Sequence, residues 1–261
     1  MARFTAVGEH IYRMNLPYKD IYTTVVVLES DRGNILFDTA FSQTDVQAHI
    51  LPAYRELGLE PPKYIFISHV HSDHAGGLRW VLEAFPEATV LSFSEALPQS
   101  HPGAGFRCPE DGEVFLEQFQ AVAIPGHTPD SAALLDRRTG TLITGDCLQV
   151  YGIYGSGAWG AVICWIRLHL QALEKLHTMD IRAIIAAHDY HPYGESVRGE
   201  AAVKAYLDGC LEALHRVRDI LKANISCTDE EVTALCNGGD LPTVPVKVVT
   251  AMRGLLEEGG I

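Results

Sequence analysis

Residues 68–77 read Ser-His-Val-His-Ser-Asp-His-Ala-Gly-Gly and directly follow the apolar run Tyr-Ile-Phe-Ile of residues 64–67. A short apolar run of this kind, bounded by turn residues, is typical of a buried β-strand, so the polar residues are predicted on the turn at its C-terminal end. Alternation along an extended segment would place the first two histidines and the aspartate on one side. Imidazole nitrogens and carboxylate oxygens suit zinc or iron, and this density favours more than one ion. The candidate ligands are His69, His71, Asp73 and His74.

Three further candidate ligands occur later in the chain, each after an apolar run with the character of a strand. His127 follows the run that ends at Ile124, Asp146 follows Leu-Ile-Thr-Gly, and His188 follows Ile-Ile-Ala-Ala. Each falls where a turn is expected to begin, so the strand ends are predicted to gather them.

These seven residues resemble the dinuclear metal pattern of the metallo-β-lactamase-fold superfamily in type, order and approximate spacing. Residues 35–39, Ile-Leu-Phe-Asp-Thr, resemble the superfamily's strand-end Asp-Thr segment, in which Asp38 would support a ligand imidazole from behind. The resemblance covers about residues 5–195 and implies an α/β fold, the αββα sandwich. In size and layout the chain is closest to glyoxalase II-like and lactonase-like members.

The resemblance also implies how the ligands divide between two divalent ions, with zinc preferred and iron or manganese as alternatives. One ion would be held by His69, His71 and His127, and the other by Asp73, His74 and His188. Asp146 would bridge them, because a carboxylate between two cations screens their repulsion.

The organisation along the chain agrees with a layered α/β fold. Strand-like and helix-like patterns alternate over the first half, and residues 16–22 and 98–112 are interpreted as loops. From Glu200 onward the pattern is helical, with a capping box at Thr228-Asp-Glu-Glu. We therefore predict a main domain over residues 1–198 and a C-terminal helical extension over 199–261, which could cover the site, mediate a homodimer, or do both.

The composition of the chain limits the classes of partner that we expect it to bind. The formal charge of −13 and the absence of any basic run argue against a nucleic-acid groove. No apolar stretch reaches membrane-spanning length, and no secretory signal precedes Phe4. The six cysteines are widely spaced without a C-x-x-C pair, which is typical of reduced thiols. We expect a cytoplasmic protein that acts on a small molecule, without nucleic acid or membrane.

The residues after the last two ligands suggest the substrate pocket. Residues 147–165 interleave glycines with aromatic side chains, so Tyr151 and Trp159 are predicted to line the pocket, together with Tyr193. Tyr190 and His191 are candidates to protonate a leaving group, while Asp73 and Asp146 would act at the metals. His169, in the following helix, is interpreted as structural or exposed.

The predicted function is metal-dependent hydrolysis, in which a hydroxide held between the two ions attacks a small ester, thioester or lactone. The alternatives are a mononuclear-iron sulfur dioxygenase, which carries the same motif, and a non-catalytic metal-binding module. Metal count and oxygen consumption discriminate among them.

Overall fold

The computed structural model describes residues 2–153, 160–238 and 244–259. The chain divides into two compact units. Unit 1 comprises Met1–Ala123 and Ala132–Arg138, and unit 2 comprises Ile124–Ser131 and Thr139–Ile261. The predicted domain boundary at residue 198 stays a prediction.

Unit 1 contains a seven-stranded sheet whose order follows the sequence. Its strands are β1 (Thr5–Ala6), β2 (Ile11–Tyr18), β3 (Ile21–Leu28), β4 (Ile35–Phe37), β5 (Tyr64–Phe66), β6 (Thr89–Leu91) and β7 (Gly105–Arg107). The first four pair antiparallel and the rest are parallel, so helices must connect the later strands. Because β4 and β5 are parallel neighbours, their C-terminal ends, which lead to Asp38 and Ser68, lie side by side.

The helices of unit 1 pack their apolar faces onto this sheet, in a core that includes Val46, Ile50, Ile65, Leu78 and Val81. They are α1 (Leu51–Glu56), which continues a π-helical segment Asp45–Ile50, then α2 (Ser72–Ala75), α3 (Leu78–Ala84) and α4 (Leu97–Ser100). Three more strands, β8 (Val114–Phe115), β9 (Phe119–Ala123) and β10 (Ala132–Asp136), pair antiparallel in this unit.

Two segments interpreted as loops are ordered elements. Residues 16–22 belong to β2 and β3, which form a hairpin that turns at Lys19 and Asp20. Sequence missed it because Pro17 within the run argues against a strand, yet it pairs with Tyr22 at the end of the hairpin. Residues 98–112 contain the end of α4 and all of β7, whose short, partly exposed strand lacks an apolar alternation.

Unit 2 contains β11 (Thr141–Ile143), β12 (Ala183–Tyr190) and β13 (Gly194–Arg198), with β11 and β12 parallel and β12 and β13 antiparallel. Its helices are α5 (Ile166–Leu176), α6 (Glu200–Ala223), α7 (Asp229–Cys236) and α8 (Val246–Glu257). Side chains of α6, α7 and α8 share one apolar core, including Leu214, Val232 and Met252. The capping box predicted at Thr228 and Glu231 opens α7.

Among the helices in the described ranges, none combines the length and the apolar composition needed to cross a bilayer.

Candidate metal centre

The histidine-rich turn lies directly after β5, as predicted, but its second half is helical. Asp73 and His74 belong to α2, for which His71 is the N-terminal flanking residue with an extended backbone. The expectation that Asp73 continues an extended alternation with His69 and His71 is therefore wrong. A carboxylate in the first turn of a helix is favoured by the orphan amide groups there, which is a local reason for the helix to begin at this point.

Asp38 is hydrogen-bonded to two residues of this turn, Ser68 and His74. Its Oδ1 accepts from the Ser68 backbone N–H at 2.8 Å, and its Oδ2 accepts from the Ser68 hydroxyl at 2.8 Å. Oδ2 also lies 2.7 Å from Nδ1 of His74. With Nδ1–H donating to the carboxylate, the Nε2 lone pair of His74 is left to bind a metal. The role expected of Asp38 thus has a geometric basis.

The backbone around Asp38 is shaped for these contacts. Asp38 has a φ of +60°, a left-handed backbone conformation that is uncommon for residues other than glycine. The next residue, Thr39, donates from both its N–H and its hydroxyl to the carbonyl of His74, at 2.7 and 2.9 Å. Gly77 passes so close that a Cβ there would lie 2.1 Å from the Thr39 carbonyl oxygen. Only glycine allows this approach, which explains Gly77.

The four candidate ligands of unit 1 fall into two pairs. Nε2 of His69 lies 3.0 Å from Nδ1 of His71. Oδ2 of Asp73 lies 3.3 Å from Nε2 of His74. These are the pairs that the resemblance assigns to different ions. Three of the side chains are buried, and His71 is exposed.

The other three candidate ligands lie in unit 2. His127 lies in a bend after Pro125, and Asp146 lies three residues beyond the end of β11. His188 lies within β12, which continues to Tyr190 past an irregularity in its pairing with β13. The expected turn at His188 is therefore displaced along the chain. All three side chains are buried.

The carboxylate of Asp146 is shared between the two histidines of its unit. Its Oδ2 lies 3.6 Å from Nε2 of His127, and its Oδ1 lies 3.1 Å from Nε2 of His188. The hydroxyl of Tyr190 donates to Oδ1 at 2.8 Å and is itself buried. The carboxylate of Asp146 therefore presents a different oxygen to each of two imidazoles.

Two further residues contact His127 or the bend before it, and the sequence does not predict either as part of the site. The buried His169 is hydrogen-bonded to the Pro125 carbonyl, and its ring packs so closely on Gly126 that a Cβ there would lie 2.3 Å from Nδ1. Gln149 contacts Nδ1 of His127 at 3.0 Å. Helical periodicity places His169 on a buried face, but nothing in the sequence identifies its partner.

Burial shifts the pKa of two groups at this site. Burial lowers the pKa of His169 to about 4. The hydrogen bond to Pro125 opposes this shift, whereas the nearby His127 adds to it. Burial also raises the pKa of Asp38, although the hydrogen bonds from His74 and Ser68 counteract it. His169 is therefore neutral at pH 7.

The predicted pocket residues are partly described. Tyr151 lines a narrow, mostly apolar cavity in unit 2, together with residues of α6 such as Cys210 and Leu214. Tyr193 instead packs on α6, with its ring 5.2 Å from that of Tyr206. Trp159 lies outside the described residues.

His191 is half-buried, and its ring centroid lies 6.5 Å from that of Tyr151. Its backbone N–H donates to the carbonyl of Gly152.

Comparison with known proteins supports the resemblance. The family model described as the metallo-beta-lactamase superfamily matches residues 18–188, which is more than half of the chain. The uncharacterized protein YobT of Bacillus subtilis is 33% identical over 124 residues, which cover 40% of this chain and 53% of that protein. An atrochrysone carboxyl ACP thioesterase of Aspergillus fumigatus is 27% identical over 127 residues, which cover 48% of this chain and 37% of the thioesterase. The chain thus spans about half or less of the length of these relatives.

Solved structures share the fold at low sequence identity. The FIM-1 metallo-beta-lactamase of Pseudomonas aeruginosa superposes with a TM-score of 0.60 at 18% identity, covering 81% of this chain and 96% of that chain. Rubredoxin oxygen:oxidoreductase of Desulfovibrio gigas superposes with a TM-score of 0.69 at 14% identity, covering 97% and 82%. The predicted fold class, a mixed α/β metallo-β-lactamase fold of β-sheets and helices, is confirmed.

Proposed function

Because the chain belongs to the metallo-β-lactamase superfamily, we propose that it is a metal-dependent hydrolase of a small thioester, ester or lactone. The thioester is the preferred class, because relatives at low identity include proteins named as thioesterases. The fold alone does not select a substrate.

The observation that carries the proposal is the division of the Asp146 carboxylate between His127 and His188. In unit 1 the candidate ligands divide in the same way, because His69 pairs with His71 and Asp73 pairs with His74. This division of the candidate ligands into two groups supports the two-ion assignment that the resemblance implies.

The donor set fits such ions. Imidazole nitrogens and carboxylate oxygens are ligands of zinc, and of iron or manganese as alternatives. Asp38 directs the Nε2 lone pair of His74 away from itself, which is the tautomer that a metal requires. When bound, a pair of divalent ions supplies hydroxide at neutral pH and polarises the oxygen that gains charge.

The chain's own residues are assigned the remaining tasks. Asp73, beside His74, orients the attacking group. The hydroxyl proton of Tyr190 is engaged by Asp146, which favours His191 over Tyr190 as the donor to the leaving group. Tyr151 is proposed to contact the substrate, because its ring centroid lies 6.5 Å from that of His191. The acidic charge of the chain agrees with a substrate other than nucleic acid.

The test is the release of free thiol from short acyl thioesters of N-acetylcysteamine, with parallel panels of esters and lactones. We expect hydrolysis that stops on removal of metal and that Asp146→Ala abolishes, while most of the fold remains. A protein that carries both metals yet turns over none of the three panels would contradict the proposal.

The sulfur dioxygenase alternative is tested on the same preparation. It requires one iron per chain and consumption of oxygen with a persulfide substrate. We expect neither.

A further inference from the structure

Gln149 is a buried amide with contacts on both sides. Its Oε1 accepts from the backbone N–H of Val162 at 2.6 Å, and its Nε2 lies 3.0 Å from Nδ1 of His127. Gln149 as a whole is only 4% exposed. The same Nδ1 of His127 lies 2.9 Å from the carbonyl oxygen of Val162. Gln149, Val162 and His127 thus form a closed triangle within unit 2.

The orientation of the amide follows from its partner. A backbone N–H can only donate, so the atom of Gln149 that faces Val162 must be the oxygen. The NH₂ group is then fixed toward His127, and it can only donate. Two different hydrogen bonds therefore compete for Nδ1 of His127.

The two hydrogen bonds require different tautomers of His127. If Nδ1 carries the proton, it donates to the Val162 carbonyl and leaves the Nε2 lone pair toward Asp146. If Nδ1 is bare, it accepts from Gln149 and the proton sits on Nε2, where it blocks coordination. Metal binding at Nε2 requires the first tautomer.

We infer that Gln149 is a positioning residue for His127. Its amide oxygen acts through Val162, whereas its NH₂ group opposes the tautomer of His127 that binds metal. The oxygen of the amide holds Val162 where its carbonyl can accept from Nδ1. Segment 160–165 is anchored at a second point, because the N–H groups of Cys164 and Trp165 donate to the carbonyl of Gly126. This inference rests on the proposed metal at His127 but not on the proposed substrate.

Two substitutions separate the two roles. Gln149→Leu removes both the acceptor for Val162 and the opposing NH₂ donor. We expect the loss of the Val162 contact to dominate, so that binding of one of two metal ions weakens by about 10- to 100-fold. Gln149→Glu keeps an oxygen for Val162 and replaces the NH₂ donor by a second acceptor for Nδ1–H. The Glu variant is therefore expected to bind metal as tightly as the parent or more tightly.

The matched control is Gln118→Leu, which removes an amide that contacts a histidine outside the candidate ligands, His10, at 2.7 Å. It should leave metal affinity unchanged. The measurement is the dissociation constant of Co²⁺, by competition with a chromophoric chelator, and the visible spectrum of the bound ion, which reports its ligands.

A Leu variant with parental affinity and an unchanged cobalt spectrum would overturn the inference. So would a folded Glu variant that loses affinity as the Leu variant does, and this outcome remains informative if the Leu variant fails to fold. The readout of this experiment is metal binding. Failure of the thioesterase proposal would appear separately, as variants that have the expected Co²⁺ affinities while the parent protein hydrolyses no thioester.

Discussion

The hydroxyl of Tyr190 donates a 2.8 Å hydrogen bond to Oδ1 of Asp146, and both side chains are buried. The same oxygen lies 3.1 Å from Nε2 of His188, whereas the other oxygen faces His127. The tyrosine therefore fixes the rotation of the carboxylate that divides its oxygens between two histidines.

Tyr190→Phe should lower metal affinity by about 10- to 100-fold, because it removes a hydroxyl that orients a candidate ligand while the ring still fills its site. Its matched control is Tyr206→Phe, which removes an equally buried hydroxyl that donates to the Leu148 carbonyl at 2.8 Å. We expect the control to cost only about 1 kcal/mol of unfolding free energy. Metal titration of both variants is the check, and equal metal affinities would remove the assigned role of Tyr190.

Asp38→Asn should reduce the metal content of the protein. The amide can keep the bond from the Ser68 N–H, but an NH₂ group then faces Nδ1 of His74 and favours the tautomer with the proton on Nε2. Elemental analysis after dialysis against trace metal should show the loss.

The control for this prediction is a second buried aspartate that contacts a histidine. Asp136 is fully buried, with Oδ2 3.0 Å from Nε2 of His10. Asp136→Asn should destabilise the fold and leave metal content unchanged. Similar metal loss in both variants would mean that Asp38 acts through general stability.

Gly126→Ala should destabilise the protein by about 1–3 kcal/mol, the usual range for overpacking, because the new Cβ would overlap the buried ring of His169. Chemical denaturation measures the change. Gly254→Ala is the control, since it meets nothing within 4 Å on α8 and should stabilise that helix by about 0.5–1 kcal/mol. Adding His169→Ala to Gly126→Ala should recover part of the loss. No recovery would place the strain elsewhere.

His169 makes stability depend on pH. Its pKa is lowered to about 4 in the folded state, against about 6.5 in the unfolded chain, so the unfolded chain binds more protons between these values. The free energy of unfolding should therefore fall as pH drops from about 6.5 to 4, by up to about 1.4 kcal/mol per pH unit from this group. Above pH 6.5 the group contributes no slope.

Urea unfolding of metal-free protein at pH 7 and pH 4.5 tests this titration. His169→Gln, which keeps a donor for the Pro125 carbonyl, should show a shallower fall than the parent. Parallel curves for the two proteins would assign the slope to other groups.

The sequence predicts best the part of the site whose candidate ligands are close together along the chain. His69, His71, Asp73 and His74 are adjacent in sequence, and the strand before them is apolar, so their place at the end of β5 follows from the sequence. Asp38, which directly follows β4, is predictable because residues 35–39 resemble the superfamily's strand-end Asp-Thr segment.

The residues that escaped prediction act through contacts distant in sequence. Gln149 reaches Val162 across 13 residues, and His169 packs on Gly126, with no local pattern to mark either pair. The hairpin at Tyr18 escaped because local rules for proline oppose a strand that tertiary pairing forms anyway. The helical start at Asp73 escaped because a four-residue helix has no periodicity to detect.

The number of metal ions per chain, counted in protein purified without added metal, tests the proposed two-metal site. We expect about two divalent ions per chain, with zinc preferred, and loss of metal from Asp146→Ala. A single iron per chain, or a metal content that Asp146→Ala leaves unchanged, would contradict it.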